Sequence, residues 1–130
     1  MAWFLSSGKT KEVEKGIPVV VVKERLKKVV IRGHSRMTDP EEFYKKLSDK
    51  LEKLYFSFNK TLVIDVYFEY INTSSSKWLY QVLIHLQNLY RKGGLIEVNW
   101  YYESDDEVIL EAGEVLQSLV AVPINLLSTD

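Results

Sequence analysis

Residues 61–94 read TLVIDVYFEYINTSSSKWLYQVLIHLQNLYRKGG, and this stretch decides the fold. Leu62, Ile64, Val66, Phe68 and Tyr70 alternate with Val63, Asp65, Tyr67 and Glu69. A period of two over that length is a β-strand. Asn72 to Ser76 interrupts the alternation. Trp78, Leu79, Val82, Leu83, Leu86 and Leu89 then recur at helical spacing, and Lys92-Gly93-Gly94 ends the helix. Strand, loop and helix in that order point to an α/β domain.

Downstream, Leu95 to Tyr102 predicts another strand, with Ile96, Val98, Trp100 and Tyr102 on one face and Glu97, Asn99 and Tyr101 on the other. Ser104-Asp105-Asp106-Glu107 reads as a capping-box start, with Ser104 at the cap. Val108, Ala112, Val115, Leu116 and Leu119 form a third helical stripe, and a short strand over 124–127 follows Pro123. Upstream, Asp39-Pro40-Glu41-Glu42 starts a helix over 40–57, capped by Asp39, whose stripe is Phe43, Leu47, Leu51, Leu54 and Phe58. Val19 to Val22 and Lys27 to Arg32 are β-rich runs close enough for a hairpin, and a loop is expected from Gly33 to Asp39. Residues 1–18 show no steady period and read as a loosely structured N-terminal segment; residues 19–130 read as a single domain.

The order is ββαβαβαβ with a mixed sheet. Strands buried on both faces read as continuous apolar runs, whereas here one face carries acids and tyrosines. Right-handed crossovers advancing in one direction place the helices mainly on a single face and leave the other partly open.

The 130 residues carry a formal charge of −1 from 17 basic and 18 acidic side chains. No basic excess is available for a nucleic-acid backbone. The absence of cysteine excludes disulfides and thiolate sites and fits a reducing, cytoplasmic setting. Apolar runs fall short of the roughly 20 residues that span a bilayer. Nucleotide-binding, nucleophile-elbow and zinc-protease motifs are absent, and no cofactor is expected. His34 reads as a loop residue and His85 as a helix-face residue. Of the acids Glu103, Asp105, Asp106 and Glu107, two or three are accounted for by a helix start, and no metal is expected.

The most informative segment is Tyr70-Ile71-Asn72-Thr73-Ser74-Ser75-Ser76-Lys77. One serine suffices to cap the helix, and the remaining hydroxyls can satisfy loop backbone groups. The functional reading starts from the same place: sites gather at the carboxyl ends of strands in open α/β sheets, and a helix N-terminus favours negative charge. A phosphate there adds about −1.5 to −2 charges. A module that binds a small molecule or anion through loop 72–76 and the helix N-terminus is the alternative. A hydrolase using Thr73 or Ser75 as nucleophile lacks a base and an oxyanion motif.

The same segment resembles the N-T-S-S-x-K signature of the SiaC family, small bacterial regulatory phosphoproteins of biofilm formation that were long catalogued as a domain of unknown function. Val98-Asn99-Trp100-Tyr101-Tyr102-Glu103, with the acids that follow, is similar to the family's second signature. Glu111, Gly113, Glu114, Pro123 and the Ile31-x-Gly33-x-Ser35 run ahead of Pro40 and Phe43-Tyr44 also fit. Arg36-Met37 stands where the family has Tyr-Pro. The resemblance implies a STAS-like domain and a non-enzymatic switch. In such proteins a serine/threonine kinase phosphorylates a loop threonine, here Thr73, with Ser74 and Ser75 as alternates. A PP2C-type phosphatase reverses this, and the unmodified form binds and activates a diguanylate cyclase that makes cyclic di-GMP. Tyr70, Asn72, Ser74, Ser75, Lys77, Tyr101 and Glu103 are then the expected partner-binding residues.

Overall fold

Five strands lie side by side in the order in which the chain makes them, β1-β2-β3-β4-β5. The computed structural model describes residues 16–130. The expected loose segment therefore lies outside the described residues over 1–15. β1 (Val19–Lys23) turns through a short 3-10 segment into β2 (Lys28–Ser35), and the two pair antiparallel. Lys27 closes this hairpin in the left-handed conformation, φ 52°. Then follow α1 (Glu41–Ser57), β3 (Thr61–Ile71), α2 (Thr73–Arg91), β4 (Leu95–Tyr102), α3 (Glu107–Leu119) and β5 (Ile124–Ser128). The pairs β2–β3, β3–β4 and β4–β5 are parallel. Three crossovers that each advance one strand in the same direction set all three helices on one face. The expected element order and mixed sheet are those observed.

The covered face is the core. Leu62, Ile64, Val66 and Phe68 of β3 and Ile96, Val98 and Trp100 of β4 are buried against Leu47 and Leu51 of α1 and Leu79, Val82 and Leu86 of α2. α3 packs tightly on β4. A Cβ on Gly113 would sit 2.5 Å from the Trp100 ring, and the Trp100 indole N–H donates to the Ile109 carbonyl at 2.9 Å.

The opposite face is a polar ladder beside an aromatic row. Lys28 pairs with Asp65 at 2.9 Å, Asn99 donates to Asp65 at 2.9 Å, and Asn125 donates to Asn99 at 2.9 Å. Asp65 is thereby buried and satisfied rather than open, as a buried charge must be. Next along the strands, Tyr67 and Tyr101 stack with ring centroids 4.3 Å apart, and the Arg32 guanidinium lies 5.1 Å from the Tyr67 ring.

Three helix starts differ from expectation. Pro40 stands at the cap of α1 and the Asp39 side chain makes no capping bond; α2 is capped by Asn72 and not by a serine; α3 is capped by Asp106 and not by Ser104. Ser104 instead donates from both backbone and side chain to the Asp130 carboxylate, at 2.8 and 2.6 Å. That contact lowers the Asp130 pKa from its ordinary value. β2 continues through His34 to Ser35, so His34 is a strand residue rather than a loop one.

α3 carries the largest departure. Ile109, Gly113 and Leu116 are its buried residues, whereas Val108, Val115 and Leu119 of the expected core stripe are 75%, 50% and 54% exposed. The tight approach of Gly113 to Trp100 fixes the helix's rotation and turns that stripe sideways.

Candidate functional site

β3 ends at Ile71, and Asn72 makes the turn into α2 with extended backbone, φ −84° and ψ 170°. From that conformation its Oδ1 reaches the Ser75 amide at 2.8 Å, as a helix cap does. Its carbonyl accepts from Ser76 N–H at 2.9 Å. Its own amide donates to the Ser35 carbonyl at 2.9 Å and its Nδ2 to the Met37 carbonyl at 3.1 Å. One residue therefore caps α2 and ties it to the chain leaving β2. Because α2 begins at Thr73, all four hydroxyls of 73–76 lie in its first turn rather than in a loop.

The turn sorts those hydroxyls. Thr73 and Ser74 are exposed, Ser76 is half-buried and Ser75 is fully buried. Ser75 shares the phase of Leu79, Val82 and Leu86 and so points inward with them. Its Oγ, beside the buried Tyr44 hydroxyl, closes no hydrogen bond of its own among the described residues. The Tyr44 hydroxyl is engaged with Ser35 Oγ at 2.7 Å. Burial pushes the Tyr44 hydroxyl up to about 12, with the Ser35 and Ser75 hydroxyls acting weakly the other way. Of the alternates to Thr73, Ser74 is accessible and Ser75 is not.

Thr73, Ser76, Lys77 and Tyr80 of α2 form one wall of a groove of about 670 Å³. Ala112, Val115 and Leu119 of α3 form the other, with Trp100 beneath. The remaining expected partner residues lie elsewhere. Tyr101 and Glu103 line a hollow of about 610 Å³ on the open face with Arg32, Tyr67, Glu69 and Asp106. Burial, then the Tyr67 hydroxyl and the Asp65 charge, raise the Tyr101 pKa. Tyr70 stands apart from both. A register shift in β3 places it opposite His34, and the Arg36 guanidinium lies 4.7 Å from its ring. The structure thus brings Thr73, Ser76 and Lys77 together and separates them from Tyr101 and Glu103. Among the described residues no cluster of His, Cys, Asp or Glu is placed to hold a metal.

Sequence reasoning missed Val115, Leu119 and Tyr80. A signal was present: α3 holds two apolar stripes, 109-113-116 and 108-112-115-119, and only one can face the sheet.

A family model described as SiaC family regulatory phosphoprotein matches residues 11–129. An uncharacterized protein of Pseudomonas aeruginosa (strain UCBPP-PA14) is 23% identical over 100 residues, covering 77% of this chain and 79% of that protein. Among solved structures, a chain of the crystal structure of diguanylate cyclase SiaD in complex with its activator SiaC, from Pseudomonas aeruginosa, superposes with a TM-score of 0.79. It has 20% identity and covers 89% of this chain and 95% of that chain. The crystal structure of apo-SiaC from the same organism gives a TM-score of 0.77 at 20% identity, covering 89% and 94%.

Proposed function

The chain belongs to the SiaC family of regulatory phosphoproteins, and on that premise we propose that it is a non-enzymatic interaction switch whose phosphoacceptor is Thr73. The observation that carries this reading is the position of Thr73. It is the first residue of α2, exposed, and on the wall of an open groove. A serine/threonine kinase adds the phosphate and a PP2C-type phosphatase removes it. The unmodified form binds and activates a diguanylate cyclase, raising cyclic di-GMP; the family's solved complex of SiaC with the cyclase SiaD supports that choice of partner. Residues 19–130 act as one domain, in the cytoplasm, where kinase and cyclase find their nucleotide substrates. Among the described residues no helix is long and apolar enough to cross a membrane.

The helix end favours the phosphorylated product, because a dianion beside the first-turn amides and the positive end of the dipole is stabilised. The same dianion sits at the groove and opposes docking by repulsion and by the cost of desolvating it. Product stability and partner release then follow from one added group.

Phosphopeptide mass spectrometry on the protein from its native cell tests the assignment. The peptide ending at Lys77 contains all four hydroxyls, and fragmentation is expected to place the phosphate on Thr73. The Thr73→Ala protein should fold, resist labelling and remain competent for the partner. A phosphate on Ser75 would contradict the reading, since that side chain is sealed in the folded state. Complete coverage without phosphate in all growth states would leave an anion-binding helix end instead.

A further inference from the structure

The first turn of α2 holds more capping side chains than one helix end uses. Thr73, Ser74, Ser75 and Ser76 are all of types that cap a helix well, by accepting from an amide two or three residues further on. A helix beginning at Ser74 behind a Thr73 cap, or at Ser75 behind a Ser74 cap, shortens α2 by one or two residues. Leu79, Val82 and Leu86 keep their places in the core in either case. Local propensity therefore does not choose among these starts. The choice decides which hydroxyl stands exposed at the first helical position.

Asn72 makes that choice. A serine or threonine brings one hydroxyl, whereas the Asn72 amide brings an acceptor and a donor, and both are engaged. Oδ1 accepts from the Ser75 amide at 2.8 Å, and Nδ2 donates to the Met37 carbonyl at 3.1 Å. The backbone amide of Asn72 adds a bond to the Ser35 carbonyl at 2.9 Å. This anchor is itself held. Ser35 ends β2, is fully buried, and has its Oγ 2.7 Å from the Tyr44 hydroxyl. The Arg36 amide donates to the Gly16 carbonyl at 3.0 Å. A cap at Thr73 or Ser74 forgoes the Oδ1 bond and leaves the tie to residues 35–37 outside the helix. We propose that Asn72 is a positioning residue that selects Thr73 as the phosphoacceptor, by fixing the start of α2 so that Thr73 and not Ser74 holds the exposed first position.

This rests on the switch reading for the phosphorylation itself and goes beyond it in saying why one hydroxyl of the four is taken. Ser75 is sealed and Ser76 is half-buried, so the competition is between Thr73 and Ser74, both exposed. With Asn72 at the cap, Thr73 is the first helical residue and its hydroxyl has no capping duty. With Thr73 at the cap, that hydroxyl is occupied by an amide of the shortened helix, and Ser74 stands where Thr73 stood. Removing the Asn72 side chain takes away one cap, which moves the balance between such starts by about fivefold.

The test compares the full chain with its Asn72→Ala and Asn72→Asp variants. Phosphopeptide mapping from the native cell reads the ratio of phosphate on Ser74 to phosphate on Thr73. Amide hydrogen exchange reads the start of the helix without reference to phosphate. In the unsubstituted protein the Ser75 amide, held by Oδ1, should exchange more slowly than the Ser74 amide, because a helix end leaves its first amides without intrahelical partners. Asn72→Ala should raise the ratio and speed exchange at Ser75, each by about fivefold. Asn72→Asp restores a capping oxygen, adds no new hydroxyl, and should return both toward their original values. A merely structural role lowers labelling at every site alike and leaves the ratio where it was. An unchanged ratio in the Ala variant therefore overturns the inference. So does loss of all labelling in a variant with unchanged circular dichroism, since Asn72 is then read by the kinase itself. Equal exchange at Ser74 and Ser75 in the unsubstituted protein overturns it with no variant needed. Failure of the Thr73 assignment shows separately, as phosphate missing from Thr73 in a protein whose Ser75 amide is protected.

Discussion

The two flanks of α2 are built from one helix and behave as different materials. Toward α1 the helix presents Ser75, Leu79, Val82 and Leu86, all buried, with Glu52 and His85 paired across the two helices. The Lys45 ammonium lies 5.6 Å from the Trp78 ring over the same junction. Toward α3 it presents Thr73, Ser76, Lys77 and Tyr80 to an open groove. The closed flank holds the helix against the sheet, and packing of that kind is where folding free energy resides. The open flank carries the groups that a modifying enzyme or a partner can reach. Recognition is therefore separable from stability along a line that runs down one helix.

The largest test strikes the closed flank. Leu86 is fully buried, and Leu86→Ala removes buried methyl groups and leaves a cavity behind. A loss of about 2–5 kcal/mol in unfolding free energy is expected from denaturant titration. At low denaturant, the fraction that remains folded should still accept phosphate at Thr73. A loss below about 0.5 kcal/mol, within the range of ordinary surface substitutions, would mean that this flank is not the packed one.

A smaller effect reports on the buried hydroxyls beneath the first turn of α2. In the folded state the Tyr44 hydroxyl is held at about 12, against 10.0 for an ordinary tyrosine. The unfolded chain therefore gives up this proton first as the solution becomes alkaline. The stabilisation is complete below pH 10 and is lost as pH rises from there through the folded value. Its size is about 2–3 kcal/mol. Tyr44→Phe should remove that part of the alkaline limb in a stability–pH curve, and at neutral pH it leaves Ser35 Oγ without its buried partner. An unchanged limb in the Phe variant would show that Tyr44 is not buried in solution as described.

How much of this could be read in advance depended on the distance over which each feature is decided. β4 was expected over 95–102 and spans those residues, because alternation is set by the strand itself. Cap identities failed at Asp39 and Ser104, because helix ends shift by a residue or two: Pro40, with no side-chain bond, stands at the cap of α1, and Asp106, two residues beyond Ser104, at that of α3. The acceptor turn was partly legible. Ser75 falls in phase with Leu79, Val82 and Leu86, so its burial follows from helical period once the helix is known to start at Thr73. The rotation of α3 was not legible from a single apolar stripe. It is fixed by Gly113 against Trp100, a contact between residues whose proximity only the assembled sheet creates.

The smallest expected effect is the most discriminating, because it contrasts two adjacent residues of α3. Leu116 is buried on the sheet and Val115 is half exposed on the groove. Val115→Ser removes apolar surface that water already reaches, so unfolding free energy should move by no more than about 0.5 kcal/mol in denaturant titration. The same change removes one apolar position of the groove wall that Val115 forms with Ala112 and Leu119. Binding of the unmodified protein to its partner should therefore weaken while folding is unaffected. A stability loss of 2 kcal/mol or more, on the scale of a core truncation, would place Val115 inside the molecule. The groove would then be closed in solution, and the open flank of α2 would be as packed as the other.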